Sequence, residues 1–146
     1  MEISLQELAA ALAKTDVLQG YVDTREGRIL MIGAAGEAAS LDEAAKRGED
    51  CVERLLSIED DWQRYVPLPN IYEEEIRSVM QDFAKKAPHD AGVVLAEALS
   101  GAAARLRFRR TVQRLSLEGA WQAHLSASLQ MLARDWCEEN AIAYRA

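Results

Sequence analysis

One short segment decides the fold class of this chain. Tyr21-Val22-Asp23 and Arg28-Ile29-Leu30-Met31-Ile32 are β-favouring runs on either side of Thr24-Arg25-Glu26-Gly27. Asp starts turns well, and Gly27 can supply the positive φ with which a chain rejoins a strand. The segment predicts a β-hairpin. Tyr65-Val66-Pro67-Leu68-Pro69 cannot be helical, because each proline drives its predecessor into an extended conformation. It is expected as an edge strand beside the hairpin, where proline is tolerated.

Helical signals fill the remainder. Ser4-Leu5-Gln6-Glu7 is a capping box, in which the Ser side chain accepts from an early N–H and Glu7 reaches back to the cap. A short helix is expected from it to about Lys14. The stretch Gly33 to Gly36 consists of small residues and is expected to be a flexible link. Ser40-Leu41-Asp42-Glu43 is a second capping box, opening a helix towards Leu56 that Gly48 weakens. Ser57-Ile58-Glu59-Asp60 is expected to start one more helical turn, carrying Trp62.

Asn70 is expected to cap a helix whose Tyr72, Ile76, Val79, Met80 and Phe83 share one face. Pro88 should start the next helix and Gly101 should end it. An arginine-rich helix follows from about Ala102 to Leu115. Ser116 is expected to cap the last and longest helix, with Leu117, Trp121, Leu125, Leu129, Leu132 and Trp136 as its apolar stripe. The expected fold is α+β and mostly helical, with a small antiparallel sheet built on the Tyr21–Ile32 hairpin and about five to seven helices around it. The 146 residues fit a single domain, 1–146, large enough for a core without metal or disulfide staples.

Charge narrows the function classes. The net charge of −7 favours solubility and argues against general affinity for DNA or anionic membranes. The charge is unevenly spread: Gly101 to Leu115 holds five arginines and no acid. Two distant cysteines, Cys51 and Cys137, read as free thiols in a reducing compartment. With no basic, apolar leader and no run of about 20 apolar residues, the expected location is the cytoplasm, away from membranes.

Three segments resemble a known family. They are Gly20-Tyr21-Val22-Asp23-Thr24-Arg25-Glu26-Gly27-Arg28-Ile29; then Arg64-Tyr65-Val66-Pro67-Leu68-Pro69 with Met80-Gln81-Asp82-Phe83; and Arg107-Phe108 through Leu117 and Trp121 to Arg134-Asp135-Trp136-Cys137-Glu138-Glu139-Asn140. Their order and spacing are similar to those of uncharacterised protein family 0158, a mainly bacterial family. The chain departs from that pattern at Arg105 and from His124 to Ser128, where the family tends to carry aromatic or charged residues. The resemblance implies a folded, soluble protein and brings no catalytic residues.

The residues themselves offer two leads. Arg105, Arg107, Arg109, Arg110 and Arg114 lie on one helix, and guanidinium groups suit bidentate binding of phosphate or carboxylate. A phosphate-bearing ligand or nucleic acid would fit them. The alternative is a solvated face that pairs with the chain's own abundant acids. Trp62 and Tyr65, ahead of the prolines, would serve as anchors for a protein partner if exposed; otherwise they cover the core under a long loop.

Catalytic and metal signals are weak. Glu59-Asp60-Asp61 and Glu73-Glu74-Glu75 lack the alternation that converges oxygens on a cation. His89 and His124 stand alone, and neither cysteine has an activating neighbour. No phosphate loop or hydrolase motif is present. The expected function is therefore a non-catalytic binding or regulatory protein, acting on another protein, with no metal or cofactor. The alternative is a binder of a phosphorylated ligand or nucleic acid through the arginine-rich helix.

Overall fold

The computed structural model describes residues 1–33, 56, 58 and 60–146. The expected helix opening at Ser40, with Gly48 and Cys51, lies outside the described residues, as do Ser57 and Glu59. The fold is α+β and mostly helical, as the sequence predicts. It divides into two compact units, Met1–Asn70 with Leu132–Ala146, and Ile71–Met131.

In the first unit, β1 (Ile3–Ser4) leads into α1 (Leu5–Leu12). Ser4 caps α1 by accepting the Glu7 N–H, as the capping box predicts. Leu5, Leu8 and Leu12 are buried at helical spacing. The hairpin follows as β2 (Leu18–Asp23) and β3 (Arg28–Gly33), and β4 (Tyr65–Pro67) pairs antiparallel with the other side of β2. The sheet order is β3-β2-β4, so Pro67 does sit on an edge strand. Val22, on the central strand, is fully buried. Gly20 allows a close approach: a Cβ there would lie 2.6 Å from Leu68 Cδ1 and 2.9 Å from Met31 Sδ. A further two-residue strand, β5 (Tyr144–Arg145), pairs parallel with β1.

The hairpin turn is held by a charged clasp. Asp23 accepts the N–H groups of Arg25 and Glu26, and Gly27 takes φ +69 while its N–H bonds the Asp23 carbonyl. The Asp23 carboxylate also receives Arg64 in bidentate fashion, at 2.8 Å from Nε and 2.7 Å from Nη2. The Arg64 carbonyl in turn accepts both the N–H and the hydroxyl of Thr24. The turn of β2–β3 and the start of β4 are thereby tied together. Asp23 is 1% exposed. Arg64 is the main reason its pKa falls to about 2, with the two backbone N–H bonds assisting against the opposing effect of burial.

In the second unit, α2 (Glu75–Lys86) and α3 (His89–Ala98) form a helical hairpin, followed by α4 (Ala104–Arg114). The long helix α5 (Glu118–Glu139) has its first 14 residues, 118–131, in this unit. Phe83, Phe108 and Trp121 meet edge to face, with ring centroids 5.0 to 6.1 Å apart. Such pairs add about 0.5–1.5 kcal/mol each beyond area burial. His124 joins this cluster at its edge and donates a ring N–H to the Val79 carbonyl, 3.0 Å away.

Helix boundaries differ from expectation at three places. Asn70 does not open α2: residues 71–74 form a turn, Glu74 has φ −134, and the Ile76 N–H reaches back to the Ile71 carbonyl. That turn places Ile71, 1% exposed, in the core. Ser116 does not cap α5. It takes φ +58 at the end of α4, where its N–H bonds the Gln113 carbonyl and the Leu117 N–H bonds the Val112 carbonyl. This is a Schellman closure of α4. Ala141, at φ +54, closes α5 in the same way through Glu138 and Cys137. Finally, α4 starts at Ala104 rather than Ala102, because Ala103 at φ +58 interrupts the helical backbone.

Among the residues expected in the core, Ile76, Val79, Met80, Phe83, Trp121, Leu129 and Trp136 are buried. Tyr72, Leu117, Leu125 and Leu132 are only half-buried. Ala133 and Cys137, both fully buried, complete the inward stripe of α5. No helix among the described residues is long and apolar enough to cross a membrane.

Candidate anion-binding site

Helix α4 buries Phe108, Thr111 and Val112 and turns the rest of its surface outward. Positions 107, 110 and 114 recur at steps of three and four, so they share one face. All five predicted arginines on this helix are exposed. Among the described residues none of the five forms an ion pair; the ion pairs there involve Arg25, Arg28 and Arg64 instead. The Arg105 guanidinium lies over the Tyr72 ring, 4.8 Å from its centroid. Arg107 donates from Nη1 to the Ser100 carbonyl at 3.4 Å. Among the described residues no such contact engages Arg109, Arg110 or Arg114.

Beside this helix the α2–α3 hairpin forms a groove of about 800 Å³. Its α2 wall carries Arg77, Gln81 and Lys85, four residues apart each time and therefore in one line. They occupy the polar side of the helix that buries Ile76, Val79, Met80 and Phe83. His89 and Ser100 stand near the two ends of α3. Gly92 lets the two helices touch, since a Cβ there would lie 2.6 Å from the Ala84 carbonyl oxygen. Arg77 donates from Nη2 to the Leu99 carbonyl at 3.3 Å. Arg77 and Arg107 therefore bond successive carbonyls at the C-terminal end of α3, where a cation also meets the helix dipole favourably.

Electrostatics set this unit apart. Residues 71–131 contain eight Lys or Arg and seven Asp or Glu, a balance of +1 within a chain of −7. Among the described residues no carboxylate lines the groove.

The other candidate residues lie elsewhere. Trp62 sits in the turn 61–64 and is 72% exposed. Tyr65 belongs to β4 and is buried, with the Arg64 guanidinium 5.1 Å from its ring centroid. It therefore offers no exposed anchor beside Trp62. Burial pushes the Cys137 thiol up in pKa, with the Glu138 charge assisting, so the nucleophilic thiolate is disfavoured. The Ser100 hydroxyl donates to the Glu97 carbonyl, and no side-chain base activates it among the described contacts. Among the described residues no group of three or more His, Cys, Asp or Glu side chains is placed to hold a metal ion.

Sequence reasoning located the arginines of α4 and missed Arg77, Lys85 and His89. Two signals pointed to them: the four-residue spacing of Arg77, Gln81 and Lys85, and a glycine inside the α3 pattern, which marks close packing.

The family model of an uncharacterised protein family, UPF0158, matches residues 1–146, and the chain belongs to that family. No curated protein and no solved structure matches it.

Proposed function

We propose that this chain is a non-catalytic binding protein whose 71–131 unit holds a phosphate-bearing strand on the arginine face of α4. One observation carries the reading. Arg107, Arg110 and Arg114 share an exposed face without an acid partner among the described residues, in a chain with 24 acidic residues. Unneutralised like charges on one helix repel at about 0.2–0.5 kcal/mol per neighbouring pair, a cost that a bound polyanion removes. Arg107 and Arg114 are seven positions apart, so the three guanidiniums span about 10 Å of helix, long enough to meet more than one phosphate.

The test is fluorescence anisotropy with labelled single-stranded RNA and DNA over a range of salt concentrations. Three phosphate contacts give a slope of log affinity against log salt of about −2 for a single strand. Charge reversal by Arg110→Glu with Arg114→Glu should abolish binding while leaving the far-UV circular dichroism unchanged. Affinity that survives this double reversal, or no binding at low salt, overturns the reading.

A second reading rests on Trp62. An indole 72% exposed is a large apolar surface, and a protein partner seated on it would bury that surface.

A further inference from the structure

We propose that the groove between α2 and α3 binds an aliphatic ligand that carries an anionic group at each end. The site is separate from the outward face of α4. Its volume of about 800 Å³ falls within the range of small-molecule sites, roughly 300–1,000 Å³.

Its basic side chains fall into two groups. Arg77 marks the end next to Leu99 and Ser100. Lys85 and His89 mark the other end, where Ala87 and Pro88 join the helices. Arg77 and Lys85 are eight residues apart, about 12 Å along the helix.

Between the two ends the floor is aliphatic and shallow. Ala84, Gly92 and Ala96 line it, and the backbone contact at Gly92 closes it from below. Among the described residues no Phe, Tyr or Trp side chain lines the groove. With no carboxylate in the lining, a cationic ligand would find no counter-charge. At the first end, Arg77 spends one of its five N–H donors on the Leu99 carbonyl and keeps the rest for a carboxylate or a phosphate. The groove therefore calls for an anion at each end and a hydrocarbon body between them.

Isothermal titration calorimetry of the full chain tests this. The probes are linear α,ω-dicarboxylates of increasing chain length, the matched monocarboxylates, and inorganic phosphate. Affinity should pass through an optimum with chain length, and the best diacid should bind about tenfold more tightly than its monoacid. Inorganic phosphate should bind more weakly than that diacid. Lys85→Gln should weaken the diacid to the level of the monoacid. Ala96→Trp, which fills the floor and leaves every cation in place, should abolish binding. Arg110→Glu with Arg114→Glu should leave diacid affinity unchanged, so failure of the strand-binding reading and failure of this one are told apart. Lys85 is exposed, and its variant keeps the test open if Ala96→Trp does not fold. Equal affinity for monoacid and diacid, phosphate binding as tightly as the best diacid, binding that survives Lys85→Gln, or no binding by any member of the series overturns the proposal.

Discussion

Replacing Asp23 with Asn separates the charge of the β-hairpin clasp from its shape. The Asn side chain keeps an oxygen for the N–H groups of Arg25 and Glu26, but it gives Arg64 no negative partner. The carboxyl pKa falls from 3.8 to about 2 in the folded chain. At about 1.4 kcal/mol per pH unit, that drop stabilises the fold by about 2.5 kcal/mol at neutral pH. Asp23 is buried and the Arg64 side chain is only 20% exposed, so solvent screening removes little of it. The sign follows from the lowered pKa. Above 3.8 the carboxylate is charged in both states and the full stabilisation is present. Between 3.8 and about 2 the unfolded chain binds a proton that the folded chain does not, and stability falls; below about 2 the contribution is gone. Urea unfolding followed by tryptophan fluorescence at pH 7 and at intervals down to pH 2 measures this. Asp23→Asn should cost about 2.5 kcal/mol at pH 7, and the gap from wild type should close on approach to pH 2. A neutral-pH cost below about 1 kcal/mol, or a gap that does not change with pH, refutes the assignment.

Two further substitutions probe packing and backbone. Trp121→Ala removes the ring that meets both Phe83 and Phe108, and should cost about 3–5 kcal/mol in the same urea assay; a loss under 1 kcal/mol would mean that the aromatic cluster is not a core. Ala141→Gly relieves a left-handed alanine at φ +54 at the end of α5 and should raise stability by about 0.5–1 kcal/mol, read as an increase in Tm. A lowered Tm would show that alanine's restriction of the unfolded chain outweighs the relieved strain.

Local chemistry made much of the fold legible. The Ser4 cap, the hairpin turn with Gly27 at positive φ, and the edge placement of Pro67 each depend on residues a few positions apart. The same holds for the arginine face of α4, where helical periodicity alone puts residues 107, 110 and 114 together. The two misplaced helix starts have different causes. At Ser116 a backbone N–H captured a carbonyl of the preceding helix, so a good cap residue was used to end one helix instead of starting the next. At Asn70 burial of Ile71 in a turn delayed the helix to Glu75.

Periodicity, capping and proline chemistry act within a turn or two of chain, so the sequence by itself determined the α+β class, the hairpin, most of the inward face of α2 and an arginine-rich outer face. Tertiary structure decided what depends on distance in the chain. It joined Asp23 to Arg64 across 41 positions, and it brought Arg107 to the end of α3. It also left Arg77, Lys85 and His89 around one groove, because Gly92 has no side chain to hold α2 and α3 apart. Which charges meet acids and which stand free follows from where the packed helices place them, and composition alone does not contain it.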